Sequence, residues 1–370
     1  MRVKLPTSVK LPGRGLLPGR GRAGLVGLEI EAGSVAAAEV SVNGTVAVTG
    51  AAVAPLPPGT FHEGEVVDPE RLAEALKVLF SRGRLSKRVR LGVGNQGVVV
   101  RTVRLPAIAD PKEMDAAVRF QAQEQIPMPL DQAVLDHRIV GGVPGEEGSA
   151  PQVDVLVVAA RRDMVSSFLE PLRRAGLHPV GIDLTAFGMI RALAPAAPPP
   201  GAGEPPTGAT LYCGLGDVAN LAMARGRSCL FTRVSGAGLE PVVTELGASL
   251  GLVPEHASLW LSHVGLARPV EEVDGDPVLV AGVREALERG AAALVDELRL
   301  SLDYYGSQEG AVPVERVVLC GPGSAVPGLA ERVGAALGLP AAPARPGPLA
   351  RHDAASAARL TLPFGLALES

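Results

Sequence analysis

Three short stretches set small residues where a backbone turn could approach an anion, and acids where a metal ion could sit. The first is Glu29-Ile30-Glu31-Ala32-Gly33-Ser34, between apolar runs at 26–30 and 35–40. The second is Gly214-Leu215-Gly216-Asp217, and the third is Gly321-Pro322-Gly323-Ser324. Phosphates are held by backbone N–H groups in tight turns, which need small side chains beside the oxygens. Ala32, Gly33, Ser34, Gly216, Gly321, Gly323 and Ser324 meet that need, and Glu29 and Asp217 offer the hard oxygen atoms that magnesium prefers. Glu31 works against it. Its carboxylate would meet the negative charge of a phosphate in a cleft with little screening.

Other chemistries find no support. The six histidines form no HxxxH-type cluster, and Cys213, Cys229 and Cys320 are too widely spaced for a CxxC zinc site or a disulfide framework. No GxSxG, GxxxxGK[ST] or HExxH pattern occurs.

The turns must be carried by strands. Runs at 26–30, 35–40 and 45–53 read as strands, the last two joined by the hairpin signal Asn43-Gly44. Asp68-Pro69-Glu70 opens a helix with Leu72, Leu76 and Leu79 on one face, followed by a strand at 89–93. From 98 to 182 the order is β-α-β-β-α-β, a small α+β module. Its first helix starts at Asp110-Pro111, carries Met114, Val118 and Ala122 inward and stops at Ile126-Pro127-Met128-Pro129. Its second helix, 162–175, is expected to turn Val165, Leu169 and Leu172 inward. A helix over 183–193 precedes a Pro/Gly/Ala linker. The strand-turn-strand plan then restarts at Thr210, which argues for an internally duplicated α/β chain. An amphipathic helix over 283–305 has Leu287, Leu294, Leu298, Leu302 and Tyr305 along one face, and another helix follows at 327–337.

With 370 residues, 47% hydrophobic and 20% charged, the chain is a globular protein large enough for two cores. A formal net charge of -4 gives no reason to expect nucleic-acid binding, and no apolar run is long enough to span a membrane. Arg2, Lys4, Lys10, Arg14, Arg20 and Arg22 stand among the first 22 residues with no acid. That stretch reads as a flexible basic tail, or as one drawn weakly to an anionic membrane surface.

Five pieces together resemble the PilM family of type IV pilus assembly, actin-like proteins of the FtsA-like branch. They are Gly27-Leu28-Glu29-Ile30, the helix end Ala117-Val118-Arg119-Phe120-Gln121-Ala122-Gln123-Glu124-Gln125-Ile126-Pro127-Met128-Pro129, Gly181-Ile182-Asp183, Glu297-Leu298-Arg299-Leu300-Ser301-Leu302-Asp303-Tyr304-Tyr305, and Gly321-Pro322-Gly323-Ser324 with Pro327-Gly328-Leu329. The resemblance covers about residues 24–369. It implies an α/β, actin-like, two-lobed fold divided as a basic tail (1–23), the first part of lobe one (24–97), an inserted subdomain (98–180), a lobe-one helix (181–194), a linker (195–208), lobe two (209–350) and a segment returning to lobe one (351–370).

The resemblance also implies ATP and magnesium between the lobes. It implies a partner too, the N-terminal peptide of a PilN-like bitopic membrane protein, bound where the inserted subdomain meets lobe one. PilO-like and PilP-like proteins and the pilus motor follow indirectly, and homo-oligomers fit as well. Arg119, Glu124, Ile126, Pro127, Met128 and Pro129 are the candidate partner-binding residues. At the phosphate end this chain departs from the family: Glu31 replaces a glycine, Ala36 falls where the family has lysine, and Cys213-Gly214-Leu215 stands where the family has Asp-x-Gly. The expectation is a scaffold in the cytoplasm, at the inner face of the cell membrane, with a degenerate nucleotide site and no catalytic residue or resident metal. Two alternatives stand beside it. One is an active Mg-ATPase using Glu29 and Asp217. The other is an FtsA-like membrane-tethered filament protein, against which the lack of a closing amphipathic helix counts.

Overall fold

The computed structural model describes residues 24–143, 151–195 and 207–368. The expected basic tail and most of the expected linker lie outside them. In chain order the elements are β1 (Leu25–Ile30), β2 (Ser34–Asn43), β3 (Thr45–Pro55), β4 (Phe61–His62), β5 (Glu65–Val66), α1 (Pro69–Gly83), β6 (Arg88–Val93), β7 (Val98–Pro106), α2 (Pro111–Gln125), β8 (Ala133–Val143), β9 (Gln152–Arg161), α3 (Arg162–Arg174), β10 (His178–Leu184) and α4 (Thr185–Leu193). After the linker come β11 (Ala209–Leu215), β12 (Ala219–Arg225), β13 (Ser228–Ser235), α5 (Glu240–Leu250), α6 (Pro254–Val264), α7 (Pro277–Gly306), β14 (Val314–Cys320), α8 (Leu329–Leu337), β15 (Ala341–Pro343) and α9 (Ala354–Ala367).

Three helices begin with the same local device. Asp68, Asp110 and Asp276 each turn a carboxylate onto two free N–H groups of the first turn, and the following proline has no N–H to leave unpaired. The Asp276 cap starts α7 at Pro277, about three turns before the leucine stripe that predicts it.

The two five-stranded sheets have one plan. The first runs β10-β6-β1-β2-β3 and the second β15-β14-β11-β12-β13. In each, an antiparallel three-strand meander is extended by two parallel strands. Lobe one packs Val26, Leu28, Leu72, Leu76, Leu79 and Leu91 into its core, and lobe two packs Leu211, Cys213, Leu221, Leu287, Leu294 and Leu298.

The β-α-β-β-α-β run is split between two layers. β7, β9 and β8 form a separate three-stranded sheet under α2, with Met114, Val118 and Ala122 inward as expected. β10 instead pairs with β6, and α3 packs on lobe one through Met164, Phe168 and Leu172. The buried face of α3 is thus rotated from the expected Val165, Leu169 and Leu172. Phe168 drives the rotation: it is fully buried and meets Phe61 edge-on with ring centroids 6.0 Å apart.

The closing segment is a helix, α9, and it is buried. It lies against β1, β2 and α4, with Leu360, Phe364 and Leu366 inside. The approach is so close that a Cβ on Gly27 would fall 1.9 Å from the Pro363 carbonyl oxygen, and one on Gly365 1.8 Å from that of Gly188. Only glycine fits at either place.

Candidate functional site

The β1–β2 turn of lobe one faces the β11–β12 turn of lobe two. Glu31 and Ser34 close the first turn through Glu31 N to Ser34 O, 2.9 Å, which leaves Ala32 and Gly33 at its tip. The Ala32 amide donates to the Asp217 carboxylate on the opposite lobe. The Glu31 carboxylate leans the same way: a Cβ on Gly216 would lie 1.7 Å from Glu31 Oε1. Gly216 therefore leaves room for the side chain of Glu31. Gly238 performs a similar service behind Asp217, since a Cβ there would sit 2.0 Å from the Asp217 carbonyl oxygen.

Glu29, Glu31 and Asp217 line one small cavity of about 30 Å³ together with Thr185 and Asn220. That is the scale of one or two water molecules. The cation nearby is Arg359 of α9, whose Nη1 donates to Ser34 Oγ at 2.8 Å and lies 3.8 Å from Glu31 Oε2. Burial pushes the Glu29 carboxyl well above the usual range, and the charges of Glu31 and Asp217 add to it, against Arg359. Asp217 is raised for the same reasons, burial first and then Glu31, although the Ala32 amide favours its ionised form. Glu31 is raised by burial and held back by Arg359.

Further out, the lobes are clamped again. His62 Nδ1 lies 2.6 Å from Glu240 Oε1, and the Glu63 amide donates to Glu240 Oε2 at 3.3 Å. Hydrogen bonding to Glu240 and its charge raise the His62 pKa. Gly94 of lobe one presses on Asn220 of lobe two, whose Oδ1 would be 2.2 Å from a Cβ there.

The third turn joins the same region. Gly323 packs on Leu215, while Ser324 spends its hydroxyl on the Gly321 carbonyl at 2.7 Å. The structure moves one expected equivalence. The last cross-strand pairs of the two hairpins are Ile30–Val35 and Leu215–Ala219, so the counterpart of Glu29 is Gly214 and not Cys213. Cys213 points into the lobe-two core, and burial pushes its thiol up to about 12. Gly214 faces the sulfur atoms of Met189 and Cys320, a poor setting for a metal-binding acid. Ala36 is buried opposite Glu29.

The magnesium nucleotide that the family resemblance implies would meet these turns, and the residues present do not fit its phosphate end. The cavity is too small, the turn amide is taken by Asp217, and three carboxylates face one guanidinium. Among the described residues no group of three or more His, Cys, Asp or Glu could hold a metal ion. Arg359, His62 and Glu240 were not foreseen from the sequence. A signal existed for Arg359, the one charge in the apolar run Ala354–Ala367.

A larger cavity of about 420 Å³ opens between lobe one, the small module and lobe two. It is lined by the consecutive residues Val98, Val99, Val100 and Arg101 of β7, and by residues 232–236 at the end of β13. Side chains alternate faces along a strand, so consecutive residues can share a cavity only along a strand's edge. Both strands are edges of their sheets. Arg233 and Glu297, paired at 3.0 Å, stand on one wall. The six residues of the α2 motif are elsewhere. Arg119, Glu124, Pro127 and Pro129 are exposed, while Ile126 and Met128 pack into the module's own core, and none lines the cavity.

Two lobes with one repeated sheet plan, meeting at paired hairpin turns, define an actin-like two-lobed protein. Comparison with known proteins narrows the class. The model of the family described as "Type IV pilus assembly protein PilM" matches residues 27–260, more than half of the chain. The chain belongs to the PilM family of type IV pilus assembly proteins. A solved structure described as the PilM–PilN type IV pilus biogenesis complex is similar, at 28% identity and a TM-score of 0.76, over 94% of this chain and 98% of that one. The ethanolamine utilization protein EutJ from Carboxydothermus hydrogenoformans shares the fold alone, at 13% identity and a TM-score of 0.51, over 93% of this chain and 89% of that one.

Proposed function

We propose that this chain is a scaffold of the pilus assembly complex at the cytoplasmic face of the inner membrane. It receives the N-terminal peptide of a PilN-like bitopic protein in the 420 Å³ groove and does so without hydrolysing ATP. The observation that carries this reading is the pair of strand edges walling the groove, which offer backbone N–H and C=O groups to an extended peptide. The similarity to a PilM–PilN complex supports the class of partner. Contacts with PilO-like and PilP-like proteins and with the motor would follow through that partner. The α2 motif, with Ile126 and Met128 in the module core, then supports β7 from behind.

Titrating the protein with the partner's N-terminal peptide tests the reading. Saturable binding is expected, lost in Thr232→Trp, which fills the groove while leaving thermal unfolding unchanged. No binding at high micromolar concentration, with or without ATP, would sink it. Calorimetry with Mg-ATP should show little or no heat for the native chain and some gain for Glu31→Gly, which empties the space beside Gly216. Tight Mg-ATP binding by the native chain, with hydrolysis abolished by Asp217→Ala, would overturn the nucleotide-free part.

A further inference from the structure

In this molecule the cleft and the groove share their walls. Val93, Gly94 and Asn220 border both the 30 Å³ cavity at the turns and the 420 Å³ groove. The groove has β7 and the end of β6 on one side and β13 on the other, so its width is set by how closely lobe two approaches lobe one. The bond from the Ala32 amide to Asp217 holds that approach at the turns, beside the His62–Glu240 contact further out.

In a phosphate-binding turn the tip amide points at an anion. Here the acceptor is the protein's own, a carboxyl oxygen of Asp217. We propose that the Asp217 carboxylate stands in for a bound phosphate: by taking the Ala32 amide across the cleft it holds the lobes closed, and so keeps the peptide groove at its binding width. The second half of this statement rests on the reading of the groove as a peptide site, and the first half does not.

Burial and the charges of Glu31 and Glu240 raise the Asp217 carboxyl well above its usual range, while the Ala32 amide and Arg359 of α9 favour its ionised form. The contact itself stands on geometry: a carboxyl oxygen of lobe two accepts from the Ala32 amide of lobe one. Hydrogen bonds hold the Asp217 backbone in place, since its carbonyl accepts from Glu240 N at 3.3 Å. The neighbouring Gly216 carbonyl accepts from Leu239 N at 2.8 Å. Asp217 is thus presented by a rigid turn.

Amide hydrogen exchange on the full chain, with and without the partner's N-terminal peptide, tests the proposal. In Asp217→Ala the Ala32 amide should exchange about tenfold faster, the effect of taking away the acceptor of one part-buried amide. Amides of β7 and of residues 232–235 should exchange faster as well. Asp217→Asn, whose side-chain oxygen can still accept, should fall between native and Asp217→Ala. Peptide affinity should drop in the same order. Unchanged exchange at Ala32 in Asp217→Ala would overturn the latch. Faster exchange at Ala32 with no change along β7, residues 232–235 or peptide affinity would overturn its coupling to the groove. If the native chain binds no peptide while exchange changes on both sides of the groove, the latch stands and the peptide reading falls.

Discussion

Replacing Glu31 by glutamine removes one of three carboxylates gathered around a single guanidinium. Burial and mutual repulsion hold Glu29 and Asp217 well above their ordinary range, so at neutral pH the native cluster either keeps protons or bears the repulsion. Each unit of upward shift costs about 1.4 kcal/mol once the pH lies above it. Glu31→Gln should therefore stabilise the protein at neutral pH by on the order of 1 kcal/mol. Thermal unfolding measures this, and a destabilised Glu31→Gln would show that the Arg359 contact outweighs the crowding. At this scale the sequence was partly legible. Glu31 stands out because a phosphate turn has no use for an acid. Its real neighbours, Gly216 across the cleft and Arg359 some 330 residues along, are set by tertiary approach, and no local pattern encodes that. The misplaced Cys213 shows the same limit, because strand register decides which of two adjacent residues faces the cleft.

Elements announced by local chemistry were read well. Asp-Pro caps, leucine stripes and the Asn-Gly turn depend on residues within one or two turns of each other, and α1, α2 and the β2–β3 hairpin follow from them. Elements defined by what covers them were not. The sequence of α3 is equally consistent with packing on the small module, and the contacts of Met164, Phe168 and Leu172 with the lobe-one core assign it to lobe one. The return of residues 351–370 to lobe one was implied by the family resemblance alone: by its own chemistry the Ala-rich run of α9 looks weakly amphipathic, and its packing on β1, β2 and α4 is a tertiary matter. The docking of α9 gives a test at this scale. Gly27→Ala places a methyl group against the Pro363 carbonyl, which is backbone and cannot step aside, so stability should fall by about 1–3 kcal/mol or more. Urea unfolding measures it. A neutral Gly27→Ala would mean that α9 sits further from β1 than the structure has it.

For the molecule as a whole, two kinds of group couple closure of the lobes to pH, and they act in the same direction. Glu29, Glu31 and Asp217 have raised pKa values, so the folded protein holds protons that the unfolded chain has released, and stability falls as pH rises from the ordinary carboxylate range towards the raised values. His62 is raised by Glu240, so its contribution is complete below the unfolded value and is lost as pH rises through the folded one. The unfolding midpoint should therefore decline from about pH 5 to about pH 8. It should decline less in Glu31→Gln, and a midpoint that rises over that interval would contradict the arrangement of charges. The repeated sheet plan was legible at this scale because each half carries its own hairpin grammar, whereas the approach of the halves was not, because it depends on side chains meeting across a cleft. The burial of α9 against β1 also bears on synthesis. The strand at residue 25 waits for a helix that begins at residue 354 before its outer face is covered, a loop closure among the longest this chain can make. Until α9 has been made, the face of β1 and β2 that it covers is left open, and exposed apolar surface of that kind invites aggregation during synthesis.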